Sequence, residues 1–260
     1  MSSKDLSHKA AGLYHPKVAD HVPHSNRDNL ARDVFRARGF FGALRFYASG
    51  FVELLRDLTP ERRRSRYGDI DFDFEYGVDT TWATVSLRTR VREWLSGGQY
   101  QPSEPGLFRE ILDLLPIAVN DFTFIDLGSG KGRTLLLASS YPFRRIIGIE
   151  LLGELNAIAL RNLARYRNDQ QKCFVIESRA GDARDFEFPA EPTVLYLFNP
   201  FPRHVLREVL ANLHRSQLAT PQRVFVIYHH LVYEDILAAQ DWLRLIKRTH
   251  QFAIYEAAVG

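Results

Sequence analysis

From Asp121 to the C-terminus, short apolar runs alternate with segments whose apolar residues return every three or four positions. Phe122–Leu127, Arg145–Ile149, Cys173–Ser178, Thr193–Phe198 and Arg223–Tyr228 read as strands. Segments through Leu135–Ser140 and over Glu154–Tyr166, His204–Leu213 and Tyr233–Trp242 read as helices. That rhythm predicts an α/β fold, a parallel sheet with helices on both faces. Leu243–Lys247 and Phe252–Glu256 are joined by too few residues for a helical crossover, so this closing pair must run antiparallel.

The first hundred residues follow other patterns. Residues 1–27 are polar and carry His8, His15, His21 and His24 at spacings that fit no compact metal-ligand set, which predicts a flexible tail. Between Asp28 and Leu58, the residues Phe40, Leu44, Tyr47, Phe51, Leu54 and Leu58 mark one face of a helix, a lid or an added packing layer. Arg36, Arg38, Arg45 and Arg56 raise the alternative of an interfacial membrane helix, which Gly39, Gly42 and Gly50 weaken. The run Glu61–Arg66 reads as a solvated loop, with an acidic or nucleic-acid contact as its rival. Asp69, Asp71, Asp73 and Glu75 alternate with Ile70, Phe72, Phe74 and Tyr76, which favours an extended segment with one buried face over a metal site. Ser103 is placed to cap a helix over Gly106–Leu115. The expected plan is therefore a tail (1–27), a mainly helical extension (28–99) and a main domain (100–260).

Composition adds limits. At 45% hydrophobic and 25% charged, the chain can bury a core and bulk disorder is excluded. A net charge of +3 falls short of the basic stripe that nucleic-acid binding usually needs, so a nucleic-acid partner is not expected. Cys173 has no second cysteine to pair with and reads as an inert core thiol, which fits a reducing compartment. With no signal-like start and no apolar run of membrane-spanning length, a soluble cytoplasmic protein without a membrane span is expected.

The chemistry gathers at strand ends. Asp126-Leu127-Gly128-Ser129-Gly130-Lys131-Gly132 is a glycine turn between a strand and a helix, where backbone can approach a ligand and free amides point outward. Arg133 stands where a dinucleotide fingerprint needs its third glycine, and Lys131 is followed by Gly132 rather than Ser or Thr, so both phosphate-binding patterns fail. An acid at the strand end suits a ligand with an amino group and a sulfonium charge. Glu150 ends the second strand, where a carboxylate can accept both hydroxyls of a ribose. Gly181-Asp182-Ala183 follows the third, offering an acid for an adenine amino group beside a small residue. A structural turn at the loop and a first-turn acid at Glu150 are the plain alternatives.

Together with Asn199-Pro200-Phe201-Pro202 after the fourth strand, these motifs resemble those of class I S-adenosylmethionine-dependent methyltransferases over about Tyr100 to Gly260. More narrowly, Gly77-Val78-Asp79-Thr80, Tyr100-x-Pro-Ser103 and Leu197-Phe-Asn-Pro-Phe201 resemble a group of uncharacterised bacterial methyltransferases, and the loop with Gly148-Ile-Glu150 is similar to the nucleosomal lysine methyltransferases of that fold. The resemblance implies a Rossmann-like seven-stranded sheet with an antiparallel last strand and S-adenosyl-L-methionine as cofactor. It implies a cofactor site of Asp126, Gly128, Ser129, Gly130, Gly132, Glu150, Leu151, Asp182, Ala183 and Asn199, with no metal. Enzymes that methylate amide or adenine nitrogen carry Asn/Asp-Pro-Pro-Tyr/Phe at the fourth motif, which implies acceptor-side roles for Asn199, Pro200 and Phe201. Here the second proline and the aromatic are exchanged. A helix start with Asn199 as cap is the competing account of that run.

A methyltransferase acting on a nitrogen or other nucleophile, with a protein side chain placed ahead of a small molecule, is thus expected. A silent cofactor-binding module and an NAD(P)-dependent oxidoreductase are the rivals.

Overall fold

The computed structural model describes residues 70–81, 102–198 and 200–257 of the chain. The expected tail over 1–27, the expected helix within 28–58, the arginine run at 61–66, Tyr100 and Asn199 lie outside these residues.

Seven strands form one sheet: β1 (Thr123–Leu127), β2 (Arg145–Glu150), β3 (Ile176–Ala180), β4 (Thr193–Phe198), β5 (Val224–His229), β6 (Leu243–Arg248) and β7 (Phe252–Ala257). Their order is β3-β2-β1-β4-β5-β7-β6. The first five pair in parallel, while β7 runs antiparallel between β5 and β6. This is the seven-stranded Rossmann-like sheet with an antiparallel last strand that the sequence predicts. The chain order reverses between β1 and β4, and a sheet of this kind opens its ligand crevice there, beyond the carboxyl ends of the strands.

Helices cover both faces. On one side, α2 (Pro105–Asp113), α3 (Arg133–Ala138) and α4 (Gly153–Arg165) enclose a core with Phe108, Phe124, Leu135, Ile146, Tyr196 and Phe225. On the other, α5 (Arg203–Ala219) and α6 (Glu234–Ala238) cover Ile125, Ile147, Leu195 and Val226. Because successive strand residues alternate faces, Asp126, Glu150, Phe198 and His229 share the face of Phe124, Ile146, Val194 and Phe225.

Three local expectations are corrected. Ile70–Tyr76 forms a helix, α1, and not an extended segment. Phe72 and Tyr76, four apart, pack on Tyr166, whereas Phe74 is 89% exposed, a split that helical spacing produces and strand alternation does not. Glu104, not Ser103, caps α2, its carboxylate accepting from the Gly106 and Leu107 amides, while Ser103 is buried against the Tyr196 hydroxyl at 3.1 Å. The third strand begins at Ile176 rather than Cys173 and lies at the sheet edge, half open to solvent. Cys173 is buried just before it, its amide held by the Ser139 carbonyl, and burial raises its thiol pKa, as an inert core thiol requires.

Candidate functional site

The glycine loop folds back against β2. Ile149 accepts from the Gly128 and Ser129 amides at 2.8 and 3.0 Å, and the Glu150 carboxylate accepts from Gly130 at 2.9 Å. Gly128, Gly130 and Gly132 hold φ of 90°, 55° and 82°, the left-handed region that side chains avoid. At Gly128 space is denied as well, since a Cβ would stand 2.4 Å from the Pro200 ring. Gly148, inside β2, lets the loop descend: a Cβ there would meet Leu135 at 2.6 Å and the Ser129 hydroxyl at 2.8 Å.

Two carboxyl groups lie beneath the loop on one face of the sheet. Asp126 is buried and accepts from the Thr134 hydroxyl; burial raises its pKa to about 7, with Glu150 adding to the rise. Glu150 also accepts from the Leu152 amide at 2.8 Å, and burial pushes its pKa up against these bonds.

The loop's cations face elsewhere. Lys131 is fully buried, paired with Asp79 at 2.7 Å and donating to the Thr81 carbonyl. Arg133 donates to the Thr80 hydroxyl at 2.6 Å, pairs with Asp73 at 3.3 Å and lies over the Phe72 ring. Asn162 ties the same turn to the loop, donating to the Asp79 and Lys131 carbonyls and accepting from the Asp79 amide. The Gly77–Thr80 motif is therefore a strap against the outer side of the glycine loop. In the sequence Asp79 has no visible partner, because Lys131, which meets it, is 52 residues away.

The remaining positions divide. Leu151 is 56% exposed next to Glu150, and Ala183 is buried beside Asp182. The Asp182 carboxylate holds the Arg184 guanidinium at 2.6 Å and accepts from the Arg184 amide. Pro200 abuts the loop at Gly128, but Phe201 packs on the core of the opposite face, with α5. Helix α5 starts at Arg203 with Pro202 in the cap position, so Asn199 is not its cap. Among the described residues Ser129 Oγ is a buried polar atom without a hydrogen-bond partner, tucked beneath the loop against Gly148.

Sequence reading passed over one group on this edge. His229, at the end of β5 in register with Phe198, is buried, stacked on the Phe198 ring at 4.0 Å and 7°, and bonded through Nδ1 to the Tyr196 hydroxyl at 2.7 Å. Burial lowers its pKa to about 4, so the ring is neutral at ordinary pH. A lone histidine ending an apolar run carries no signal until the neighbouring strand supplies its partners.

No protein-family model and no curated protein matches the chain. Among solved structures it is similar to a predicted N6-adenine-specific DNA methylase from Listeria monocytogenes, at 14% identity and a TM-score of 0.46, over 61% of this chain and 52% of that one. The match thus takes in about half of the Listeria protein. It is also similar to an RNA methyltransferase from Salinibacter ruber in complex with S-adenosyl-L-homocysteine (20% identity, TM-score 0.41, 61% of this chain and 93% of that one). A third is a TehB-like SAM-dependent methyltransferase from Corynebacterium glutamicum (17% identity, TM-score 0.41, 66% and 96%). Among the described residues no helix is long and apolar enough to cross a membrane.

Proposed function

We propose that the chain is an S-adenosylmethionine-dependent methyltransferase whose acceptor atom is a nitrogen. The observation that carries this reading is the distribution of charge around the loop. Its two cations are engaged by the 72–81 strap on the outer side, and the charged groups beneath it are the carboxyls of Asp126 and Glu150. Among the described residues a pyrophosphate would meet two acids there and no facing cation, which argues against a nicotinamide dinucleotide.

A sulfonium amino acid joined to adenosine fits the residues present. Asp126 and the loop amides would take its amino-acid end, Glu150 its ribose hydroxyls, and Leu151, Asp182 and Ala183 its adenine. The unpartnered Ser129 hydroxyl lies within that cradle. When bound, this cofactor supplies an electrophilic methyl group whose loss leaves a neutral thioether. The protein's task is then geometry and dryness more than nucleophilic chemistry. Asn199 and the Pro200 carbonyl would accept N–H bonds from the acceptor, with Pro200 fixed against Gly128. Phe201, packed on the far face, is not in this role, and Phe198 supplies the aromatic ring on the near one.

Calorimetry with S-adenosylmethionine tests the reading, with Glu150→Ala as control. Binding by the unmodified chain and its loss in the variant are expected; no binding by the unmodified chain refutes it. Labelled cofactor incubated with lysate of a deletion strain then shows whether the methyl group enters protein, nucleic acid or small molecules.

A further inference from the structure

Ser103, Tyr196 and His229 form a buried hydrogen-bonded chain that the cofactor site does not use. Tyr196 is the register partner of Asp126 and Ile227 of Tyr196, so His229 lies two strand spacings across from Asp126, about 10 Å, and two residues further toward the carboxyl edge. A methyl donor over β1 would then stand beside an acceptor over β4 and β5.

The bonds select a tautomer. A phenol hydroxyl donates far better than it accepts, and the 2.7 Å separation from Nδ1 is short for an N–H donor but ordinary for an O–H donor. Tyr196 therefore donates to Nδ1, and Ser103 donates to the Tyr196 oxygen at 3.1 Å. A neutral imidazole with an accepting Nδ1 carries its proton on Nε2. The Phe198 ring fixes the imidazole plane, and Nε2, on the other side of the ring from Tyr196, makes no hydrogen bond among the described residues. His230 secures the placement: its φ of 64°, positive for a side-chain-bearing residue, turns the chain off the strand, and its amide is held by the Gln251 carbonyl at 2.7 Å.

Resting on the methyltransferase reading above, we propose that His229 is a specificity-determining residue of the acceptor side. Its Nε2–H donates to an uncharged accepting atom, a carbonyl oxygen or ring nitrogen, that flanks the nitrogen to be methylated. A neutral donor rewards amide-like and heteroaromatic acceptors and gives nothing to an alkylammonium group, which has only protons to offer. Such a donor favours amide or heteroaromatic groups over a lysine side chain as the acceptor.

Nitrogen NMR of the full chain labelled at histidine, with S-adenosylhomocysteine added, reads the tautomer without any turnover. A bare Nδ1 and a protonated Nε2 are expected for His229, with a mixture of tautomers in Tyr196→Phe; a protonated Nδ1 in the unmodified chain overturns the proposal. Labelled S-adenosylmethionine and deletion-strain lysate supply the second arm. His229→Ala should cut transfer about tenfold or more at saturating cofactor, the effect of one unmade hydrogen bond in a dry site. Cofactor affinity should hold within about twofold. His229→Gln, whose amide N–H can stand near the Nε2 position, should recover part of the loss. Equal losses in both variants, or lost cofactor affinity in His229→Ala, overturn the proposal and leave the methyltransferase reading standing. Failure of the unmodified chain to bind cofactor removes both.

Discussion

Lys131 and Asp79 join the glycine loop to the Gly77–Thr81 turn through a 2.7 Å ion pair in which the lysine is wholly buried and the aspartate is 31% exposed. Removing the acid takes the paired carboxylate away from a buried charge. Asp79→Ala should cost on the order of 3 kcal/mol, the effect of breaking a buried pair, and more than Lys131→Met, which removes the charge that needs a partner. Chemical denaturation of the two variants checks the order; equal or reversed costs would show that the pair does not hold the strap.

Gly128→Ala adds a methyl 2.4 Å from the Pro200 ring at a φ of 90°. Backbone strain of about 1–3 kcal/mol and a displaced Pro200 should follow. Thermal melting and calorimetry should show lower stability together with lost cofactor affinity. A variant that melts and binds like the parent would mean that Pro200 does not bear on the loop.

Asp126 makes stability and binding depend on pH in opposite senses. Its carboxyl is raised by burial from 3.8 to about 7, so between those values the folded state holds a proton that the unfolded state has released. Stability contributed by this group is complete below about pH 4 and is lost as pH rises towards 7, at a limiting slope of about 1.4 kcal/mol per pH unit. Asp126→Asn should flatten that slope in denaturation curves. A cationic cofactor favours the carboxylate, so affinity should climb through the same window with proton release, measurable as a buffer-dependent heat of binding.

Arg184 lies on Asp182 where an adenine amino group would need the carboxylate. Arg184→Ala should leave stability unchanged, because the pair is exposed, and should raise cofactor affinity a few-fold. A fall of tenfold would instead assign the arginine itself to the cofactor.

Much of the sheet was legible because buried strands are dense in apolar residues; Thr193–Phe198 is a case where the expected and observed ends coincide. The loop at Gly128 was legible because its backbone demands glycine whatever surrounds it. Legibility failed where a residue's meaning comes from a distant partner. The alternation at Ile70–Tyr76 has the period of a strand, yet the segment is a helix whose Phe72 packs on Tyr166 and under Arg133. Ser103 has the chemistry of a cap, but the Tyr196 hydroxyl claims it and Glu104 takes the cap. His229 is in the same position, silent in the sequence and defined by Tyr196 and Phe198.

The open sides of the sheet carry their own protection against unwanted strand addition. Along β3 the outward Glu177 and Arg179 pair at 2.8 Å, so an incoming strand would have to bury charge to pair there. Along β6, Arg244 is held by Glu256 and Arg248 by Glu234, while a register shift between Leu245 and Lys247 twists the ladder. Charge and irregularity at both margins are what keep an unpaired ladder from templating another chain. Concentrated protein should consequently stay free of edge-to-edge assembly until these pairs are neutralised.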